Sequence, residues 1–368
     1  MTKMLSVTMI SLLPVTATAQ TSVKGATDVY APGRELVGGL GRIVTGKGVE
    51  DTIVAIFGGA RQVVTIRGAD RANPILIYVH GGPGAAESPF AWAFQRPWED
   101  YFTVVQWDQR GAGRSYPLNN TELLALTMTL PRIRDDAIEL IDQLRERYGQ
   151  RKVFLLGHSF GSVIGMMVAA RRPELLHAYI GMGQYIDTES GEKAGYAWTL
   201  DQATRDGNMQ AIRELEALQP YPGETGIEKI DAERKWANHY GAQFWRRSDA
   251  DFYFRLARLS PDYTPEQRSM YDAGSSFSTR LLEKQLKDVT FVPLTRLECP
   301  VYMLLGRHDG LTPASLASDW LDRVAAPLKN HFWFDKSAHM PMIEEPGRTL
   351  GALLAIRSAI WKEPHGAP

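Results

Sequence analysis

The sequence predicts an α/β protein with a mostly parallel, doubly wound sheet and an inserted helical cap. Three observations predict it. Short runs that are apolar on both faces each end in a glycine-rich or polar loop, as strands buried between two helical layers do. A segment of helical period follows the first of these runs, giving the strand and helix alternation of a wound sheet. From about residue 185 to residue 293 the strand signal vanishes, helical stripes replace it, and strand runs then resume.

The elements follow in order. Lys3, the apolar stretch Met4 to Thr16 and then Ala17-Thr18-Ala19 have the layout of a secretory signal peptide over residues 1–19. That layout predicts a secreted or periplasmic protein; an ordinary N-terminus on a cytoplasmic protein is the alternative. Ile53 to Phe57 and Gln62 to Ile66, separated by Gly58-Gly59, read as a hairpin. Ile75-Leu76-Ile77-Tyr78-Val79 is a buried strand entering His80-Gly81-Gly82-Pro83-Gly84. Phe102 to Val105 is another, leading to Trp107-Asp108-Gln109-Arg110-Gly111.

Ile133, Ala137, Ile141, Leu144 and Tyr148 recur at helical spacing, with Pro131 near the start and Gly149 past the end. Lys152 to Leu156 is the next strand, and Ser162 to Arg171 a helix stopped before Pro173. Residues 20–184 thus form the first part of the core and 185–293 the cap. Within the cap, Met209, Ile212, Leu215 and Leu218 make one stripe, and Ile227, Ile230, Ala237, Gly241 and Phe244 a second. Residues 294–368 complete the core with strands at Val301 to Leu305 and His331 to Phe334.

Composition narrows the functional classes. Of 368 residues, 41 are basic and 42 acidic, a formal charge of −1 that gives no electrostatic reason to expect a nucleic acid or an anionic membrane as partner. Beyond the leader no stretch is apolar enough to span a bilayer. The single cysteine, Cys299, rules out an intrachain disulfide and reads as a buried small hydrophobe. His308-Asp309 is one adjacent pair rather than a set at ligand spacing, so no metal is expected. Gly111-Ala112-Gly113 lacks the dinucleotide pattern, and the oligomeric state stays open.

The chemistry lies at strand ends. Gly157-His158-Ser159-Phe160-Gly161 joins a strand to a helix in the pattern that pushes a serine hydroxyl into the open. Serine is not ionised near neutral pH and needs a base, for which histidine titrates in the right range. Among the later histidines, His331 begins a strand, His365 falls in the tail, and His339 sits in a loop just past the final strand. His339 is therefore the expected base. Its partner should be a carboxylate at an earlier strand end. Asp309 fits, with Asp335 as the rival. The oxyanion needs main-chain N–H donors, expected from Phe160 and from Gly82 or Gly81. His80, at a strand end, reads as a structural hydrogen-bonding residue.

His80-Gly81-Gly82-Pro83-Gly84, Asp108-Gln109-Arg110-Gly111-x-Gly113-Arg114-Ser115, the serine elbow, Gly306-Arg307-His308-Asp309 and the late histidine loop together resemble the proline iminopeptidase family of α/β-hydrolases. The resemblance covers roughly 50–182 and 295–350. It implies the α/β-hydrolase fold, Ser159, Asp309 and His339 as a triad, a helical cap, and no cofactor. It also implies release of an N-terminal residue, often proline, from short peptides or other small amides. A carboxylesterase or lactonase using the same triad is the alternative. The chain departs from the family at Phe160 and Ser162, where a tryptophan and a glycine are common. Family members also place cap carboxylates on the substrate amine, often beside a tryptophan. Here Trp236 has no glutamate beside it; Glu189, Glu192, Glu233 or another cap acid could serve, and nothing in the sequence selects one.

Overall fold

The structure is a computed structural model that describes residues 28–223 and 227–362; the expected signal peptide, 1–19, lies outside the described residues. Among the described residues, eight strands form one sheet in the order β1-β2-β4-β3-β5-β6-β7-β8. They are β1 Val49–Phe57, β2 Ala60–Gly68, β3 Ile75–Val79, β4 Thr103–Asp108, β5 Val153–His158, β6 Leu176–Met182, β7 Val301–Gly306 and β8 Lys329–Phe334. β1 and β2 make the expected antiparallel hairpin, turning between Phe57 and Ala60, and β2 runs antiparallel to β4. From β4 to β8 every neighbouring pair is parallel.

The first half carries α1 Ala31–Gly41, α2 Thr121–Ala125, α3 Leu130–Tyr148 and α4 Phe160–Arg171. Between β6 and β7 lie α5 Thr188–Asp206, α6 Met209–Glu216, α7 Ile227–His239, α8 Asp251–Leu256, α9 Pro265–Ser269 and α10 Tyr271–Leu286. The chain closes with α11 Ala314–Arg323, α12 Pro341–Glu344 and α13 Pro346–Ile360. Among the described residues no helix is long and apolar enough to cross a membrane.

Alternation along the strands builds two layers. Ile75, Ile77 and Val79 of β3 pack with Ile133 and Leu140 of α3 and Ile164 of α4. Leu76 and Tyr78 face the other way, toward Phe90, Trp98 and, on α13, Leu353 and Ile356. α3 is capped at both ends: the Thr129 side chain accepts from Arg132 N, and Gly149 closes it at φ 64°. The cap has its own small core of Tyr196, Ala203, Leu215, Tyr221 and Trp236.

Two elements differ from expectation. β6 was not anticipated, because His177 and Gly181 interrupt its apolar run. The second cap stripe is not one helix: α7 stops at His239, and Gly241 turns the chain at φ 85°. A Cβ there would lie 2.9 Å from Phe244 O, so the turn is tight, and Phe244 leaves the stripe for the main core.

A buried ionic network pins the hairpin to the core. The Arg110 guanidinium pairs with Asp136 of α3, both fully buried. It also donates to Thr127 Oγ1 (2.7 Å) and Phe57 O (3.2 Å), while Gln62 Nε2 donates to Asp136 Oδ2 at 2.9 Å.

β6 also carries a pH liability. His177 packs against the Phe154 ring at 5.1 Å, and burial, reinforced by Lys152, pushes its pKa down to about 4. The folded state resists protonation that the unfolded chain accepts near 6.5, so stability is complete above that value and falls as pH drops toward 4. We expect His177→Gln to flatten this loss, retaining about 1 kcal/mol at pH 4.5 after allowance for the ring's partial exposure. Urea melts of both proteins at pH 7.5 and 4.5 check it; equal losses in the two would refute it.

Candidate active site

β5 runs straight into Ser159, which adopts φ 53° and ψ −124°, and α4 starts at the next residue. Such a conformation is strained for a residue with a side chain and persists only where the surroundings hold it. They do. A Cβ at Gly161 would lie 2.0 Å from Val79 O, and one at Gly157 would lie 2.5 Å from Gly161 O. The two glycines let β3, β5 and α4 converge under the serine. Met182 O of β6 accepts from Ser159 N at 2.9 Å. Ser162, where the family commonly has glycine, bonds Ser159 O (2.6 Å) and accepts from Tyr185 N (2.9 Å), tying the turn to the start of the cap.

Asp309 follows β7. Its Oδ2 lies 2.9 Å from His339 Nδ1 and accepts from Thr312 Oγ1 at 2.9 Å; its Oδ1 accepts from Leu311 N (3.0 Å) and Thr312 N (2.8 Å). These donors fix a carboxylate facing the imidazole. Asp335, the rival, is exposed on the surface and bonds Arg307 at 2.7 Å. The loop bearing His339 is held from several sides. His339 N donates to Gln243 O (3.2 Å), Ala338 N to Glu344 Oε2 (2.8 Å), and a Cβ at Gly183 would lie 2.7 Å from His339 Cε1. Ser159 and His339 line one cavity of about 130 Å³ with Gly81, Gly82, Thr312 and Tyr185. The Ser159 hydroxyl has no hydrogen-bond partner among the described residues. Contacts of this kind commonly tighten only once substrate docks.

Of the expected oxyanion donors, Gly81 and Gly82 line this cavity, and Phe160 follows the serine in the chain. Phe160 opens α4, where an amide has no helical acceptor. Gly81 is pressed against the serine, since a Cβ on it would lie 3.0 Å from Ser159 Cβ, and Gly82 turns at φ 112°. His80 has the structural role read from its position. Buried, with its pKa lowered by that burial, it donates through Nδ1 to Gly81 O (2.9 Å) and accepts Gln109 N on Nε2 (3.2 Å). The Asp108 motif is structural as well. Arg114, Ser88 and Tyr263 all bond its carboxylate, which they hold below the usual range against the opposing effect of burial.

The three candidate cap acids have different fates. Glu189 is exposed and pairs with Lys193. Glu192 and Glu233 are buried, and both are bonded by the buried Arg234. Tyr221 adds a 2.7 Å bond to Glu192, and Thr199 bonds Glu233. Arg234 stands where the cavity lined by Ser159 and His339 meets a larger one of about 670 Å³ under the cap, the two sharing Pro83, Tyr185, Arg234 and Thr279. Sequence reasoning did not single out Arg234, Thr312 or Glu87, and it passed over His158 as a variable position of the serine elbow.

The fold and this arrangement define the class: the chain belongs to the α/β-hydrolase fold family, whose profile matches residues 74–346, and it is a hydrolase. It is similar to the probable aminopeptidase YbaC of Bacillus subtilis (strain 168), at 27% identity over 79% of this chain and 91% of the relative. A proline iminopeptidase of Heyndrickxia coagulans is 23% identical over 76% of this chain and 89% of its own length. The crystal structure of a proline iminopeptidase from Mycobacterium smegmatis superposes with a TM-score of 0.59 at 17% identity, covering 84% of this chain and 98% of the other.

Proposed function

We propose that this protein is a serine aminopeptidase of the proline iminopeptidase kind, releasing N-terminal residues from small peptides or amides through an acyl-enzyme. The observation that carries it is one cavity lined both by a serine on a strained elbow and by His339, whose ring is bonded to Asp309. In this reading the Ser159 hydroxyl attacks the carbonyl carbon as His339 Nε2 takes its proton. Asp309 holds the imidazole and stabilises its charged form. N–H groups of Phe160 and of Gly82 or Gly81 receive the developing oxyanion. The tetrahedral intermediate then collapses, His339 protonates the departing amine, and water, activated by the same base, releases the acyl group. The relatives' names support peptidase specificity, and the leader pattern at residues 1–19 supports export.

One observation favours the ester-cleaving alternative. Glu192 and Glu233 are both engaged by Arg234, so neither of these two carboxylates stands free for a substrate ammonium. Proline p-nitroanilide compared with p-nitrophenyl acetate and butyrate separates the readings. We expect cleavage of the free-amine anilide, lost when that amine is acylated. Ester turnover with no anilide turnover would instead make the protein an esterase.

A further inference from the structure

Glu87 and His158 lie in the catalytic cavity but take no part in the chemistry above. Both are buried, at 5% and 2% exposure. His158 Nδ1 is 2.7 Å from Glu87 Oε1, and its Nε2 is 3.0 Å from the main-chain oxygen of His339. A main-chain carbonyl can only accept, and so can an ionised carboxylate, so both ring nitrogens of His158 donate and the ring is an imidazolium. The other assignment, a neutral ring beside a protonated Glu87, runs against the electrostatics. Against the opposing effect of burial on each, the mutual attraction holds the Glu87 carboxyl below its usual range and His158 above its own. The remaining groups around the pair are His80, which burial keeps neutral, the Tyr78 and Tyr253 phenols, whose ionisation burial suppresses, and Asp309 with His339 itself.

We propose that Glu87 and His158 form a buried ion pair whose imidazolium clamps the main chain of His339, making both positioning residues for the base. His339 is then held at three points by three parts of the fold. Asp309 holds its ring, Gln243 of the cap accepts from its N–H, and His158, next to the nucleophile in sequence, donates to its carbonyl. The third contact ties base to nucleophile directly, because His158 and Ser159 move as one turn. Glu87 charges and orients the clamp from the loop that also carries Gly81 and Gly82. A displacement of about 1 Å in a catalytic group lowers rates by about a hundredfold, so a clamp on the base acts on turnover rather than on binding.

The inference rests on Ser159 and His339 as the reacting pair but not on any substrate amine, so it is tested on p-nitrophenyl acetate. The variants are Glu87→Gln, His158→Gln and the two together. We expect each to lower kcat about 10- to 100-fold with KM within about twofold of wild type. The double variant should be no worse than the worse single, because the two act as one unit. ¹⁵N-histidine NMR should show a doubly protonated ring at pH 7 that is lost in Glu87→Gln. Wild-type kcat in both singles, or losses that multiply in the double, would overturn the clamp. So would a raised KM with kcat intact, which would make Glu87 a substrate-binding residue. If His158→Gln does not fold, kcat and the NMR signal of Glu87→Gln decide. An inactive Ser159→Ala beside a fully active Glu87→Gln sinks the clamp alone; an active Ser159→Ala sinks the reading of the site beneath it.

Discussion

Ser159→Ala is expected to lower kcat by about 10⁴- to 10⁶-fold on any substrate the enzyme turns over, with KM and the fold little changed. The size follows from the absence of a substitute. Ser162, the neighbouring hydroxyl, is already bonded to Ser159 O and Tyr185 N and is fully buried. Alanine at 159 keeps the positive φ and the packing of Gly157 and Gly161, so structure and stability should survive. Residual turnover from the oxyanion donors alone is expected and does not count against the assignment. Steady-state kinetics on the protein, with circular dichroism as the control, decides; turnover within tenfold of wild type would remove Ser159 from the mechanism.

Arg110→Ala is expected to destabilise the protein by about 3–5 kcal/mol, the cost of leaving a buried charge without its partner. Asp136 would lose its main cation while fully buried, with only Gln62 and the partly exposed Arg132 left beside it. Thr127 Oγ1 and Phe57 O would each lose the Arg110 donor. Such a loss is a large share of the 5–15 kcal/mol that usually holds a domain together. The Arg110→Ala/Asp136→Ala double variant should recover part of the loss, because it removes the stranded carboxylate as well. Urea melts report both; a single variant within 1 kcal/mol of wild type would show that the network is not the tie described.

Legibility in the sequence followed how local each cause is. β3 and β5 are continuous apolar runs because both faces are covered, and the hairpin and α3 announced themselves through Gly58-Gly59, Pro131 and Gly149. β6 did not, since His177 and Gly181 suit its neighbours rather than any strand pattern. At the site, Ser159, Asp309 and His339 were visible because each sits where a strand ends in a polar loop. Glu87 and His158 were not. Their contact joins a loop to the end of a strand from distant parts of the chain, and neither shares a spacing with the other. The fate of the cap acids was equally hidden: Glu192 and Glu233 became unavailable through Arg234, which reads in sequence as one more surface charge on α7.

The place of the cap in the chain also sets an order of events during synthesis. β1 to β6 are complete by Met182, and their sheet can form as soon as that stretch emerges. β6 then presents an unpaired edge, apolar on both sides, until the whole insert has been made and β7 arrives to cover it. An open edge of that kind recruits other chains. Rapid collapse of the cap around its own small core would shorten the exposure, and chaperone demand should peak while residues between Met182 and Val301 are being translated. In the reading proposed above, the nucleophile is synthesised long before its base. Only when β8 docks beside β7 can the segment that bears His339 bring its ring to Asp309, so on that reading the nascent chain is expected to stay inert until its final strand is laid down.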